Sequence, residues 1–164
     1  MPRTYFGPYN EQYSTYANAG NANLGRFPLG HTLILPDQRK YCFALNDGTV
    51  EVAGNLYQSV VSVAGHLGKT VDAATAVGAT ALHATLTATA AAIDIYAEGI
   101  VHTDDVDGQG YAYRIKRAMT AGAAHAAATS TGVLTANLVA GETNQVALTV
   151  NTLISFTRNR FHQV

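Results

Sequence analysis

"HTDDVDGQGYAYRIKR", His102–Arg117, sets three carboxylates within four residues and follows them with Gly108 and Gly110. It could be a calcium loop, a glycine-rich phosphate loop or the turn of a hairpin. Aligning Gly108 with the invariant glycine of an EF-hand loop puts Arg114 where a bidentate Glu is required, so an EF-hand is excluded. A looser loop-type metal site from Asp104, Asp105 and Asp107 stays open as a weak candidate. A phosphate loop needs a helix N-terminus after the glycines, and here a strand pattern follows. Tyr111, Tyr113 and Ile115 alternate with Ala112, Arg114 and Lys116, the period of a half-buried strand. The stretch reads as a hairpin. "IVHT" enters, Gly108 and Gly110 supply positive φ, and the aspartates keep an exposed turn soluble.

The same two-residue period recurs on both sides. "FPLGHTLILP" holds the run Leu33-Ile34-Leu35, and "DQRKYCFALNDGTVEVAG" predicts two strands around the Asn46-Asp47-Gly48 turn. "NLYQSVVSVAG" predicts a short strand or loop that packs Tyr57, Val60, Val61 and Val63 inward. In "GATALHATLTA", Leu82, Ala84, Leu86 and Ala88 share one face, opposite His83, Thr85, Thr87 and Thr89. That predicts a strand over 79–87, with a helix in "DAATAVGATALHATL" as the alternative. "MTAGAAHAAATSTG", 119–132, reads as small-residue loop or one poor helical turn. "GVLTANLVAG" and "NQVALTVNTLISFTR" predict the last strands, Val146, Leu148 and Val150 alternating with Ala147, Thr149 and Asn151. About eight short strands between Gly, Asn and Asp turns make the fold class all-β. The architecture expected is an antiparallel β-sandwich or barrel, jelly-roll-like.

Residues 1–25 differ. They carry Tyr5, Tyr9, Tyr13 and Tyr16, four of the nine tyrosines, with several Asn and Gly and almost no aliphatics. Gly7 and Pro8 interrupt any early helix. We read 1–25 as an extended or irregular N-terminal arm, with at most one or two helical turns near residues 9–17, and 26–164 as the β-domain. Tyrosines favour interfaces, so these four are interface candidates toward a neighbouring subunit or partner; folding back on its own domain is the alternative for the arm.

Composition narrows the functional classes. Apolar residues make up 48% of the 164, so the chain should fold, while charged residues are only 13% and the net charge is −1. Such a surface suits a protein that lives packed against others, and equally a low-charge secreted domain. Basic residues cluster at Arg114, Lys116 and Arg117 and at Arg158 and Arg160, which is no footprint for nucleic acid. The N-terminal residues lack the apolar core of a signal peptide, and no stretch approaches roughly 18 uninterrupted apolar residues, so no membrane partner is expected. Cys42 is the single cysteine, and its strand-like context predicts a buried, inert thiol. The six histidines lie more than five residues apart, so no local metal motif exists. His83 or His102 could meet its copies on a trimer axis. "GHLGKT", 65–70, lacks the first glycine of a P-loop, and no G-x-S-x-G occurs. No enzymatic activity, cofactor or small-molecule substrate is expected.

Together, "FPLGHTLILPDQRKYCFAL", "VEVAGNLYQS", "AVGATALHATL", "YAEGIVHTDDVDGQGYAYRIKR" and "TLISFTRNRFHQV" resemble a family of virion structural proteins of tailed phages, including marine and cyanobacterial ones. The shared features are an FPLG-type start with a Gly/Asp hairpin, a G-A-T-x-[IVL] strand, the Gly99–Ile115 element and a late element with Ser155, Phe156, Asn159 and Phe161. The resemblance spans 27–164 and carries no catalytic residues. It implies a capsid decoration (cement) protein on the outer surface of the virion, bound to the major capsid protein as a homo-oligomer, most simply a trimer. The alternatives are a head fibre, spike base or tail structural protein, or a calcium- or carbohydrate-binding β-sandwich module. The chain ends soon after the last element, and its "DDVDG" segment is denser in charge than the family pattern.

Overall fold

A computed structural model describes residues 4–6, 28–34, 37–45, 52, 54–56, 58–117 and 128–162. The Asn46-Asp47-Gly48 turn, the arm tyrosines Tyr9, Tyr13 and Tyr16, Tyr57 and the expected boundary at 25/26 lie outside them, as does most of the 119–132 loop. The chain forms two compact units, Met1–Val60 with Arg160–Val164, and Val61–Asn159. The described structure is all-β. Its helical element is a single 3-10 turn at Ala64–His66.

The first unit holds a three-stranded sheet in the order β1 (Thr4–Phe6), β2 (Thr32–Ile34), β3 (Lys40–Cys42). β1 runs parallel to β2, with Tyr5 opposite Leu33, and β2 runs antiparallel to β3. Phe43, His31 and His162 are buried in this unit. Gly30 has φ 79°, and a Cβ there would run into the Phe161 ring at 2.6 Å, so glycine is needed at the end of "FPLG" on both counts. Cys42 corrects an expectation. It is exposed, because all three residues of β3 face solvent on so small a sheet.

The second unit carries β4 (Lys69–Thr70), β5 (Ala81–Thr85), β6 (Ile100–Asp105), β7 (Ala112–Arg114), β8 (Val133–Asn137) and β9 (Leu153–Thr157). They form an antiparallel sheet β4-β9-β6-β7 and an antiparallel pair β5-β8. Alternation is the cause. Leu82, Ala84 and Leu86 are buried as predicted, and so are Leu134 and Ala136 on the partner strand and Leu138 just after it. From the larger sheet Val101, Tyr113, Ile115, Ile154 and Phe156 join the same core. Burying a side chain of this size contributes about 1.5–3 kcal/mol. The sheets are linked at both edges by single bridges, Val71↔Ala84 and Ile115↔Leu138. No continuous ladder closes them among the described residues.

Three other expectations are corrected. Val60 and Val61 do not pack inward; Val61 is 75% exposed and leads into the 3-10 turn. Ala88 is exposed, because β5 ends at Thr85. Residues 146–150 are not a strand. Leu148 makes one bridge, to Thr75, while Val150 is exposed in a turn.

Candidate functional site

The hairpin between β6 and β7 forms as its glycines require. Gly108 and Gly110 have φ of 70° and 87°, Thr103 N–H donates to Tyr111 O at 2.9 Å, and Gly110 N–H donates to Thr103 O at 3.0 Å. Tyr113 and Ile115 are buried; Tyr111 is exposed and stacks on Tyr113 with centroids 6.2 Å apart, so the expected common face ends at Tyr113. Val106 also has positive φ, 68°, and is 54% exposed. A β-branched residue pays for that conformation with strain of order 1–3 kcal/mol.

The three aspartates point to different partners. Asp104 Oδ2 accepts from the Ser155 hydroxyl, which itself accepts from Gly68 N–H at 2.7 Å. Asp105 Oδ1 accepts from Val106 N–H at 2.8 Å. Asp107 Oδ2 accepts from Thr149 Oγ1 at 2.7 Å and Thr152 Oγ1 at 3.2 Å. Those hydroxyls, Thr149 first, hold the Asp107 carboxyl below its ordinary value. Two of the aspartates therefore pin the hairpin to β9 and the turn before it, where only a solvated tip was expected. Among the described residues no group of three or more His, Cys, Asp and Glu is placed to hold a metal ion.

His102 Nε2 lies 3.7 Å from Asp104 Oδ1, so serine, aspartate and histidine do meet. Their order is Ser155–Asp104–His102, with the carboxylate in the middle. A nucleophilic triad needs imidazole next to the hydroxyl. Ser155, 4% exposed and bonded on both sides, serves as a bridge between strands. His83 Nδ1 pairs with Thr135 Oγ1 at 3.0 Å on the outer face of β5-β8, half-buried. Of the arm tyrosines, Tyr5 lies in β1.

Two buried networks escape sequence reading. Asn144, fully buried, donates from Nδ2 to Val146 O at 2.6 Å and Ala76 O at 3.2 Å, and its Oδ1 accepts from Tyr113 OH at 3.2 Å. Tyr113 OH in turn accepts from Gln145 N–H at 3.1 Å. His66, also fully buried, donates from Nε2 to Thr89 O at 2.8 Å. In the neutral ring, Nδ1 is then left to accept from Tyr96 OH, 2.5 Å away. Burial pushes the Tyr96 phenol up to about 12, opposed in part by the Arg158 charge and hydrogen bond. Beside them Arg117 pairs with Glu98 at 3.0 Å, and Asn159 Nδ2 donates to Glu98 O at 3.2 Å. Val146 apart, the partners of Asn144 and His66 lie 23 to 68 residues away, so no local spacing could reveal them.

In both networks the polar groups are engaged in internal bonds. Large apolar side chains also face outward. Val77, Ile93, Ile100, Val106, Val133 and Val150 are exposed on the second unit, and Leu56, on the first, is 99% exposed. No helix among the described residues is long and apolar enough to cross a membrane. Comparison with protein-family models, with curated protein sequences and with solved structures returns no match.

Proposed function

We propose that the protein is a virion structural protein, a capsid decoration protein that binds the major capsid lattice on the outside of the particle as a homo-oligomer, most simply a trimer. The observation that carries this reading is the surface. One exposed Val has no message. Nine exposed large apolar residues among the described residues of the second unit, in a chain with only 13% charged residues, describe a surface that loses little on being covered. The motifs behind the phage resemblance support the same reading, because they do structural work. Gly108 and Gly110 turn the hairpin, Tyr113, Ile115 and Phe156 fill the core, and Ser155 bridges strands. Such a protein acts by adding buried area across seams between capsomers, and several weak contacts per oligomer multiply into avidity.

For the architecture, we infer that the second unit is a small six-stranded barrel. The pairings β4-β9-β6-β7 and β5-β8, joined through Val71↔Ala84 and Ile115↔Leu138, trace a ring in which each strand has two neighbours. A barrel removes the sheet edges that would otherwise pair with other chains.

Cosedimentation with undecorated capsids tests the function. Saturable binding in proportion to the capsid subunits is expected from the full chain, and far less from the full chain carrying Tyr9→Ala, Tyr13→Ala and Tyr16→Ala. Absence of binding by the full chain would remove the capsid reading. Equal binding by both forms would remove the arm from it.

A further inference from the structure

Of the six strand pairings described, β1–β2 is the one parallel pair. Its ladder is three residues long, Thr4↔Thr32, Tyr5↔Leu33 and Phe6↔Ile34. Between its strands lie residues 7–31, a connection with Tyr9, Tyr13 and Tyr16, several Asn and Gly, and Leu24, Phe27 and Leu29 as its only large apolar residues besides tyrosine. A parallel pair needs a crossover of a dozen or more residues; this one has about twice that, a reach of about 80 Å fully extended. Closing so long a loop for a three-residue ladder gives the intrachain pairing little advantage. The same backbone bonds form unchanged when β1 comes from a neighbour. Without β1, the apolar residues of β2 would be left on an open edge.

We propose that β1 of each protomer pairs with β2 of the next, so that the oligomer is held by a closed circuit of exchanged arms. This deepens the decoration reading and rests on it only for the expectation of a trimer. The occupant of the β2 edge is the Thr4–Phe6 segment of a second copy.

Register makes the test direct. Tyr5→Cys with Leu33→Cys, in a Cys42→Ser background, puts two thiols at paired positions, within the usual Cα separation of a disulfide. The purified full chain is oxidised and run without reductant. Covalent dimers and trimers that collapse to monomer on reduction are expected. A disulfide-bonded species migrating as a monomer would overturn the proposal, and so would the absence of any disulfide. Thr4→Cys with Thr32→Cys, the adjacent pair, repeats the assay if the first variant fails to fold. Co-expressing chains that carry Tyr5→Cys alone with chains that carry Leu33→Cys alone gives a second readout. A disulfide-linked heterodimer is expected, and its absence contradicts exchange. No capsid enters these assays, so their failure leaves the capsid reading standing.

Discussion

Asp107, in the hairpin turn between β6 and β7, accepts a 2.7 Å hydrogen bond from the Thr149 hydroxyl, 42 residues along the chain. Thr152 donates to the same oxygen and also caps Thr149 N–H. One carboxylate thus joins two turns that enter different strands of the same sheet.

That joint is acid-sensitive in a predictable direction. The Asp107 carboxyl lies below its ordinary value of 3.8 in the folded protein. Its contribution is fully present above the unfolded value and is lost as pH falls through the folded one. Asp107→Asn keeps the acceptor oxygen and removes the titration. Urea midpoints followed from about pH 6 to pH 2 should fall less steeply for the variant below about pH 4. Parallel curves would show that the carboxylate carries no linkage.

Tyr96 gives the opposite limb. Its phenol, pushed by burial from 10.0 to about 12, keeps its proton in the folded state where the unfolded chain has lost it. Stability is therefore lost as pH rises from about 10 toward 12. Tyrosinate absorbance should show a late step near 12 that Tyr96→Phe abolishes. Loss of the step without the substitution would contradict its burial.

Asn144 is the polar residue on which most neighbours depend. Asn144→Ala removes two donated bonds and leaves Tyr113 OH without that acceptor. It should cost about 2–4 kcal/mol in chemical denaturation. Tyr113→Phe, which vacates one bond at each of two partners, should cost about 1–2 kcal/mol. Equal small losses would mean that water replaces these bonds.

Two glycines of one motif should behave differently. A Cβ on Gly99 would strike the carbonyl oxygens of Thr157 and Tyr96, so Gly99→Ala should cost about 3 kcal/mol or prevent folding. Gly110 has φ 87° and open space around it, so Gly110→Ala pays only the left-handed backbone, about 1–2 kcal/mol. A reversed ranking by thermal melting would contradict the packing at the start of β6.

These residues show where sequence reading reaches and where it stops. Strands β5, β8 and the β6–β7 hairpin were legible because each alternates and has one buried face, and the turn carries two glycines in positive φ. Val146, Leu148 and Val150 alternate equally well and are not a strand. Leu148 alone is buried there, and the Thr149–Thr152 turn with Asn144 uses up the backbone that a ladder would need. Cys42 alternates too, but a three-residue edge strand offers it no interior. In the candidate site the aspartates were visible as a cluster and their partners were not, because Thr149, Thr152 and Ser155 are common residues far along the chain. His66, Tyr96 and Asn144 had no local signal at all. Only the fold brings them to their partners.

Gel densitometry of purified particles tests the capsid reading most directly. A decoration protein should be present in hundreds of copies per particle, in fixed proportion to the major capsid protein. A handful of copies, or none, would contradict it.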